Sequence, residues 1–283
     1  MVRHRRRRER RHNGHFLAEA LETRFLLTAA PLATRTQLLT DIDTVGSGIP
    51  SSPLPVTSLT NVNGTLYFAA NDLDHGIELW KSDGTPGGTV MVKDINPGTA
   101  SSGVIDITAV GNKAYFFAND GTHGDQVWVS DGTPGGTVQL TNISFASSKG
   151  GSTFPEIVDL NGTAYFDGGD EFHGYNSGDG LYKSDGTPDS TVLVQGFSSR
   201  PFALTVAGNK IFFVASDATH SNVLWASDGT AGGTSILTSA PSGRAIGSNF
   251  VNLGGTLFFF IAGGLSKDEE IWKTDGTDRK SVV

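Results

Sequence analysis

Four loops of the chain carry an aspartate followed three residues later by a histidine, and these two side chains can bind each other or a metal ion. Equivalent loops of neighbouring repeats would lie about 10 Å apart, so the pairs cannot share one ion at ligand distances of about 2 to 2.6 Å. We therefore expect each pair to tie its own loop, with a calcium site inside a single loop as the alternative. The pairs are Asp72 and His75, Asp120 and His123, Asp170 and His173, and Asp217 and His220.

The third of these loops, GGDEFHGYNSGDG at 168–180, is longer than its counterparts and adds oxygen ligands and aromatic rings. Clustered carboxylate and amide oxygens suit Ca²⁺, although the spacing is not that of an EF-hand, and aromatic rings beside amides suit a sugar. A tolerated surface insertion is the alternative. The candidate calcium ligands are Asp170, Glu171, Asn176 and Asp179, and the candidate ligand-binding residues are Glu171, Phe172, His173, Tyr175 and Asn176.

Catalytic patterns are weak in this sequence. Glu156 and Glu171 lie in one repeat unit, where a glycosidase pair would need its carboxyl groups about 5 to 9.5 Å apart. The absence of cysteine excludes thiol nucleophiles, disulfides and zinc–cysteine sites. The Gly-rich phrase DGTPGGT lacks the following GK[ST] of a phosphate-binding loop and precedes a strand. We expect no catalytic residues, with a carbohydrate-active hydrolase or lyase as the alternative.

Charge divides the chain into two parts. The first twelve residues, MVRHRRRRERRH, carry a formal charge of +6, which leaves −14 for the remainder of a chain whose total is −8. A body this acidic is not suited to binding nucleic acid. No apolar run approaches the ~20 residues of a membrane-spanning helix. We interpret residues 1–35 as a basic, export-signal-like segment, although its apolar stretch, 25–33, is short for a standard signal peptide.

The remainder, residues 36–283, repeats the triplet Asp-Gly-Thr at spacings of 48, 54, 43 and 47 residues. Periods of this length without helical spacing of apolar residues are typical of stacked or radially arranged β units. An aromatic residue precedes each triplet by three positions, and we expect its ring to pack in the core. The triplets begin at Asp83, Asp131, Asp185, Asp228 and Asp275, and the aromatic residues are Trp80, Trp128, Tyr182, Trp225 and Trp272.

Each repeat predicts four antiparallel strands. Pairs such as Asn63-Gly64 favour a tight hairpin, and the strand that follows them is apolar on both faces. Sheets with two apolar faces need neighbours on both sides, as in a β-propeller. The fold class that we predict is therefore all-β, a propeller of five four-stranded blades. The blades span about 54–96, 104–144, 154–197, 201–239 and 249–283, the last together with 36–43.

Residues 36–43, TQLLTDID, match the fourth strand of a repeat but follow no first three strands. The last repeat has only three residues, 281–283, of its own fourth strand. We expect the N-terminal strand to pair with the last blade and close the ring. An incomplete piece of a larger propeller is the alternative.

The phrases ELWKSDGT, QVWVSDGT, GLYKSDGT, VLWASDGT and EIWKTDGT resemble the ELWxxDGT repeat of large bacterial proteins that are thought to be exported or displayed at the surface. LETRFLL at 21–27 resembles the LEPR-xLL sorting segment of exported bacterial proteins, with Thr23 in place of proline. Neither resemblance implies a catalytic residue. Together they imply a secreted or cell-surface protein, and we expect a non-catalytic binding or structural module whose partner is a glycan or an envelope protein.

Overall fold

The repeats form β-sheets in the computed structural model, which describes residues 57–72, 74–142, 156–168, 179–241, 244–263 and 269–277. These residues all lie in one unit, Leu39–Val283. Within them the chain forms five antiparallel sheets of four strands each, which we number one to five along the chain. The predicted all-β class and the five four-stranded sheets are confirmed. Residues 1–35 and 36–43 lie outside the described ranges.

In the first four sheets each strand pairs with the next one along the chain. Sheet one contains β1 (Thr57–Val62), β2 (Thr65–Asn71), β3 (Ile77–Ser82) and β4 (Val90–Lys93). Sheet two contains β5 (Ile105–Val110), β6 (Lys113–Asn119), β7 (Asp125–Ser130) and β8 (Val138–Gln139). Sheet three contains β9 (Ile157–Leu160), β10 (Thr163–Gly168), β11 (Gly180–Ser184) and β12 (Val192–Gly196). Sheet four contains β13 (Phe202–Ala207), β14 (Lys210–Ala215), β15 (Val223–Ser227) and β16 (Ser235–Thr238).

Sheet five differs from the others in its strand arrangement. It contains β17 (Arg244–Ile246), β18 (Val251–Leu253), β19 (Thr256–Gly263) and β20 (Glu270–Thr274), so it begins five residues before the predicted boundary at 249. Both β17 and β18 pair with β19, which pairs with β20 as well. Because a strand has two edges, β17 and β18 lie in line along one edge of β19. Sheet five is therefore three strands wide among the described residues.

The first hairpin of each sheet uses turns that match the twist of its strands. Asn63 and Gly64 have φ values of 49° and 86°, the two positive angles of a type I′ turn. In the second sheet, only Gly111 of the Gly111-Asn112 pair has a positive φ, 59°, which is the pattern of a type II′ turn. Each pair thus closes a two-residue hairpin between the first and second strands.

A β-bulge interrupts the first strand of several sheets. The register shifts by one residue in β1, β5 and β13, and the bulged residues Ser58, Asp106 and Ala203 have positive φ values of 56°, 51° and 59°. Bulges redirect side chains that would otherwise follow the strand alternation. The bulge in β5 is what places Asp106 in the cluster described below.

Apolar side chains fill the space between successive sheets. Tyr67 and Leu79 of sheet one pack with Phe116 and Trp128 of sheet two, and equivalent clusters join sheets two and three, three and four, and four and five. The second strands of sheets one to four therefore bury residues on both faces, and their rings are more than 90% buried. No helix in the described part of the chain is long and apolar enough to cross a membrane.

Candidate functional site

The repeated Asp-Gly-Thr triplet forms a closed turn between the third and fourth strands. In sheet one the carboxylate of Asp83 accepts the N–H of Thr85 at 2.9 Å and its hydroxyl at 2.7 Å. These bonds hold the pKa of Asp83 below its ordinary value. A Cβ on Gly88 would lie 1.9 Å from the same carboxylate, so a side chain at this position would displace Asp83. Asp131, Asp185, Asp228 and Asp275 make the same two bonds with their own threonines.

The glycine of the triplet also contacts the preceding sheet, and this contact was not predicted from the sequence. A lysine of each sheet donates to the glycine carbonyl of the next sheet. Lys81 reaches Gly132 at 2.8 Å, Lys113 reaches Gly186 at 3.1 Å, Lys183 reaches Gly229 at 3.3 Å and Lys210 reaches Gly276 at 2.5 Å. The triplet is therefore part of the interface between sheets. We refer to these four contacts as the lysine–glycine contacts.

A pattern in the sequence could have revealed these lysines. Sheets one and three begin their second strand with threonine and carry the lysine in the third strand, as Thr65 with Lys81 shows. Sheets two and four begin the second strand with the lysine and have Val129 or Ala226 at the third-strand position. One lysine per repeat is thus kept at either of two neighbouring positions. Sheet five follows the first arrangement, with Lys273 exposed.

Glu78, in the third strand of sheet one, holds the connection between sheets one and two in place. The buried carboxylate of Glu78 accepts the N–H of Ile95 at 2.9 Å and the hydroxyl of Ser102 at 2.7 Å. Burial raises its pKa above the ordinary value, although these bonds oppose the rise. In sheet five the equivalent Glu270 pairs with Arg244 at 2.7 Å instead. Glu78 thus fixes a loop, whereas Glu270 links two strands of its own sheet.

The aspartate–histidine pairs bind each other within their own loops. His75 Nδ1 lies 2.7 Å from Asp72 Oδ2, and the same carboxylate accepts the His75 N–H at 2.8 Å through its other oxygen. The loops of Asp120 with His123 and of Asp217 with His220 repeat this arrangement. The hydrogen bond that His75 donates to the Asp72 carboxylate raises the pKa of His75. Three of the four loops thus have the local bond that the sequence predicts, and Asp170 and His173 lie outside the described ranges.

Most of the predicted ligand-binding loop falls outside the residues that the structure describes, including Glu171, Phe172, Tyr175 and Asn176. Of the candidate calcium ligands, Asp179 is described, and its backbone carbonyl accepts the N–H of Phe197 at 2.8 Å. Among the described residues no group of three or more histidine, aspartate or glutamate side chains could hold a metal ion. The calcium and sugar hypotheses for this loop therefore stay predictions.

The aromatic residues of the repeat lie against the sheets. Trp128, Tyr182 and Trp225 are buried, while Trp80 and Trp272 are half-buried. The Trp225 ring stacks on Phe213 at a centroid distance of 6.5 Å and donates its indole N–H to the Ala215 carbonyl at 3.2 Å. Trp128, Tyr182 and Trp225 therefore pack in the apolar clusters between sheets.

A cluster of three carboxylates and one arginine spans sheets two, three and four. Asp106 accepts the N–H of Ile157 at 2.6 Å, and Glu156 accepts the N–H of Leu204 at 2.6 Å. Each of these carboxylates thus bonds the first strand of the next sheet. We call the group of Asp106, Glu156, Asp167 and Arg200 the acidic cluster.

The other half of the acidic cluster is an ion pair. Asp167 is 1% exposed, accepts the N–H of Glu156 at 2.7 Å through one oxygen and pairs with Arg200 Nε through the other. The Nη2 atom of Arg200 is buried and has no hydrogen-bond partner in the part of the chain that the structure describes. The cluster thus contains one guanidinium and three carboxyl groups, and the guanidinium pairs with Asp167.

Burial governs the protonation of this cluster. Burial raises the pKa of Asp106 to about 6 and that of Glu156 to about 7, and the neighbouring carboxylates add to both shifts. Burial also raises the pKa of Asp167, which the Arg200 guanidinium opposes. A protonated Glu156 beside an ionised carboxylate is the pairing that general acid catalysis uses. However, one oxygen of each carboxylate already binds a backbone amide, which is the arrangement of a structural link.

No protein-family model matches the chain, and no curated protein matches it either. Solved structures do match at low identity. A puromycin hydrolase variant complexed with PGG is 15% identical with a TM-score of 0.48, over 82% of this chain and 39% of that one. TolB from Acinetobacter baumannii is 12% identical with a TM-score of 0.41, over 76% of this chain and 53% of that one.

An α-L-arabinofuranosidase from Clostridium thermocellum is 18% identical with a TM-score of 0.33, over 80% of this chain and 92% of that one. This chain spans about half or less of the first two solved structures.

Proposed function

We propose that the chain is a non-catalytic binding or structural module of the cell surface or secreted space. In this proposal its five sheets are the blades of a β-propeller that closes through a strand from residues 36–43. The repeat phrases are those of an ELWxxDGT protein, and the basic segment 1–35 directs export. The ligand is a glycan or an envelope protein, bound by the loops between the second and third strands.

One observation carries this proposal: the side chains of the repeat are engaged in holding sheets and loops together. The lysines bind the glycine carbonyl of the Asp-Gly-Thr turns. In each aspartate–histidine pair the two side chains bind each other. Such a scaffold keeps loops in fixed positions, and binding residues are commonly found on loops of rigid scaffolds. The acidic body disfavours nucleic acid as the partner.

A binding screen on the full chain tests this function. We expect saturable binding to one class of glycan or envelope component and no change in that component during the incubation. Calorimetry with Ca²⁺ tests the loop at 168–180, with Asp170→Asn as the variant that should lose the heat. Absence of binding to every glycan and envelope fraction would contradict the proposal.

A carbohydrate-active enzyme is the second candidate, and the acidic cluster favours it. Glu156 has a pKa of about 7 and lies near Asp106 and Asp167, so it can hold a proton at neutral pH. If it acts as a general acid, Glu156→Gln abolishes the release of sugar from a polysaccharide while binding persists. Release that Glu171→Gln abolishes would instead assign the chemistry to the loop at 168–180.

A further inference from the structure

The aromatic residue of the repeat is covered at three of the four interfaces between successive sheets. Trp128, Tyr182 and Trp225 are 6%, 9% and 8% exposed, and each packs in the apolar cluster that joins its sheet to the preceding one. Trp272 packs against the preceding sheet as well but is half-buried. Trp80 is not part of this comparison, because no described sheet precedes sheet one. The interface between sheets four and five therefore leaves part of an indole ring open.

Smaller residues near the end of the preceding fourth strand contribute to this difference. Between sheets three and four, the Phe197 ring packs edge-on against Trp225 at a centroid distance of 5.0 Å. Between sheets one and two, Lys93 Nζ lies 5.5 Å from the ring centroid of the sheet-two tryptophan. The strand register places Ala240 of sheet four at the position of Phe197 and Thr238 at the position of Lys93. Sheet four thus offers the next aromatic ring less cover at both positions.

A groove of about 840 Å³ lies at this interface, which is within the range of about 300 to 1,000 Å³ that is usual for small-molecule sites. Its walls include Trp272, the hydroxyl-bearing residues Thr238 and Ser239, and His220 from the loop between the second and third strands of sheet four. None of the described residues that line it is an aspartate, glutamate, lysine or arginine. The groove therefore combines an aromatic ring with uncharged hydrogen-bonding groups.

An ion pair holds the Trp272 ring in an orientation that differs from that of its counterpart in sheet four. The indole N–H of Trp272 donates to Glu270 Oε2 at 3.1 Å, and Glu270 Oε1 accepts from Arg244 at 2.7 Å. The indole of Trp225 donates instead to a backbone carbonyl of the neighbouring strand. The Trp272 ring lies at 30° to the ring of Phe259, which is opposite it in the sheet, whereas the corresponding angle for Trp225 is 5°. The open ring is therefore positioned before a ligand binds, which lowers the entropic cost of binding.

We propose that this groove is a saccharide-binding site in which the Trp272 ring supports a pyranose ring. The C–H groups on one face of a pyranose pack on an aromatic ring, while its hydroxyl groups exchange hydrogen bonds with side chains such as those of Thr238, Ser239 and His220. His220 binds Asp217 through Nδ1, so Nε2 is the ring nitrogen that can bind a sugar hydroxyl. Walls without carboxylate, ammonium or guanidinium groups favour an uncharged ligand, because a buried charge would have no partner there.

This inference rests on the proposed function, in which a glycan is one of the two ligand classes, and it names a site for that ligand. The groove adjoins one of the loops between second and third strands, because His220 belongs to that loop. It uses neither the acidic cluster nor the loop at 168–180. The site can therefore be refuted while glycan binding elsewhere on the protein persists.

Calorimetry on the full chain with uncharged oligosaccharides tests the site, and the probes are cellohexaose, xylohexaose and chitohexaose. We expect wild type to bind at least one of them. Ala240→Phe introduces the residue that covers Trp225 at the preceding interface, and it should weaken binding by about tenfold or more, as should Trp272→Ala. The matched control is Ala240→Ser, which keeps a small residue at the same position and should change the affinity by less than about twofold.

Urea midpoints check that each variant folds, and if one of Ala240→Phe and Trp272→Ala does not fold, the other decides. Oligosaccharide binding that is unchanged in the folded variants would overturn the inference and leave the proposed function intact. Wild type that binds none of the three probes would also overturn it, and the proposed function would then depend on binding to an envelope protein. An apolar dye, 8-anilinonaphthalene-1-sulfonate, that binds wild type but not Ala240→Phe while no oligosaccharide binds would assign the groove to an apolar ligand instead.

Discussion

Replacing Glu156 by glutamine should stabilise the protein above neutral pH and change little at pH 5. Burial raises the pKa of this carboxyl from 4.5 to about 7. Because the folded-state pKa is the higher one, the folded state binds more protons between these two values, and stability falls as the pH rises through that window. Glutamine resembles the protonated acid, and its side-chain oxygen can still accept the N–H of Leu204.

The size of the effect follows from the pKa change. At about 1.4 kcal/mol per pH unit, a pKa raised from 4.5 to about 7 disfavours the ionised side chain by about 3 kcal/mol at high pH. Less than about 1 kcal/mol of this is present at pH 5, so the stability difference between variant and wild type should change by about 2 to 3 kcal/mol between pH 5 and pH 8.

Urea unfolding at the two pH values, followed by tryptophan fluorescence, measures this difference. Asp74→Asn serves as the control because Asp74 is an exposed loop residue. We expect the urea midpoint of Glu156→Gln to exceed that of wild type at pH 8 and to differ much less from it at pH 5. A variant that is less stable than wild type at pH 8 would show that the ionised carboxylate is a net stabilising group, which would refute the reasoning.

Further predictions concern the turns, the interfaces and the loops. Gly88→Ala should cost about 1 to 3 kcal/mol of stability, while Gly87→Ala, where a Cβ meets open space, should cost much less; equal urea midpoints would contradict the steric argument. Lys81→Met should cost about 1 to 3 kcal/mol because a charged hydrogen bond is lost, and Lys81→Arg should recover part of it; a neutral Lys81→Met would show that the lysine–glycine contact is dispensable. Asp72→Asn should lower the pKa of His75 in an NMR titration, and an unchanged pKa would contradict the loop bond.

The sheets could be predicted because the same pattern of strands and turns occurs in each repeat unit. Three features recur at the same positions of each unit: the hairpin turn seen at Asn63-Gly64, the apolar second strand and the Asp-Gly-Thr turn. A prediction based on several units is not affected by a chance pattern in one of them. Sheet five departs from the rule because its first strand divides into β17 and β18, with Gly247–Phe250 between them. That division has no counterpart in the other repeats, so periodicity could not reveal it.

The contacts between sheets were harder to predict. The lysine of the lysine–glycine contacts lies in the third strand of some sheets and in the second strand of others, as Lys81 and Lys113 show. A position-by-position comparison of the repeats therefore does not reveal it. The acidic cluster forms because a bulge turns Asp106 towards sheet three and because Arg200 comes from the connection to sheet four. Glu156 is evident in the sequence as a candidate acid, but its partners Asp106 and Asp167 depend on packing that one sequence does not display.

The most direct test of the account is a comparison of binding and turnover on one set of polysaccharides. Wild type, Glu156→Gln and Glu171→Gln are incubated with each polysaccharide, and both the bound protein and the released sugar are measured. The account predicts that at least one polysaccharide retains the protein and that none of them releases sugar. Release by wild type that either glutamine variant abolishes would contradict it and identify the chain as an enzyme.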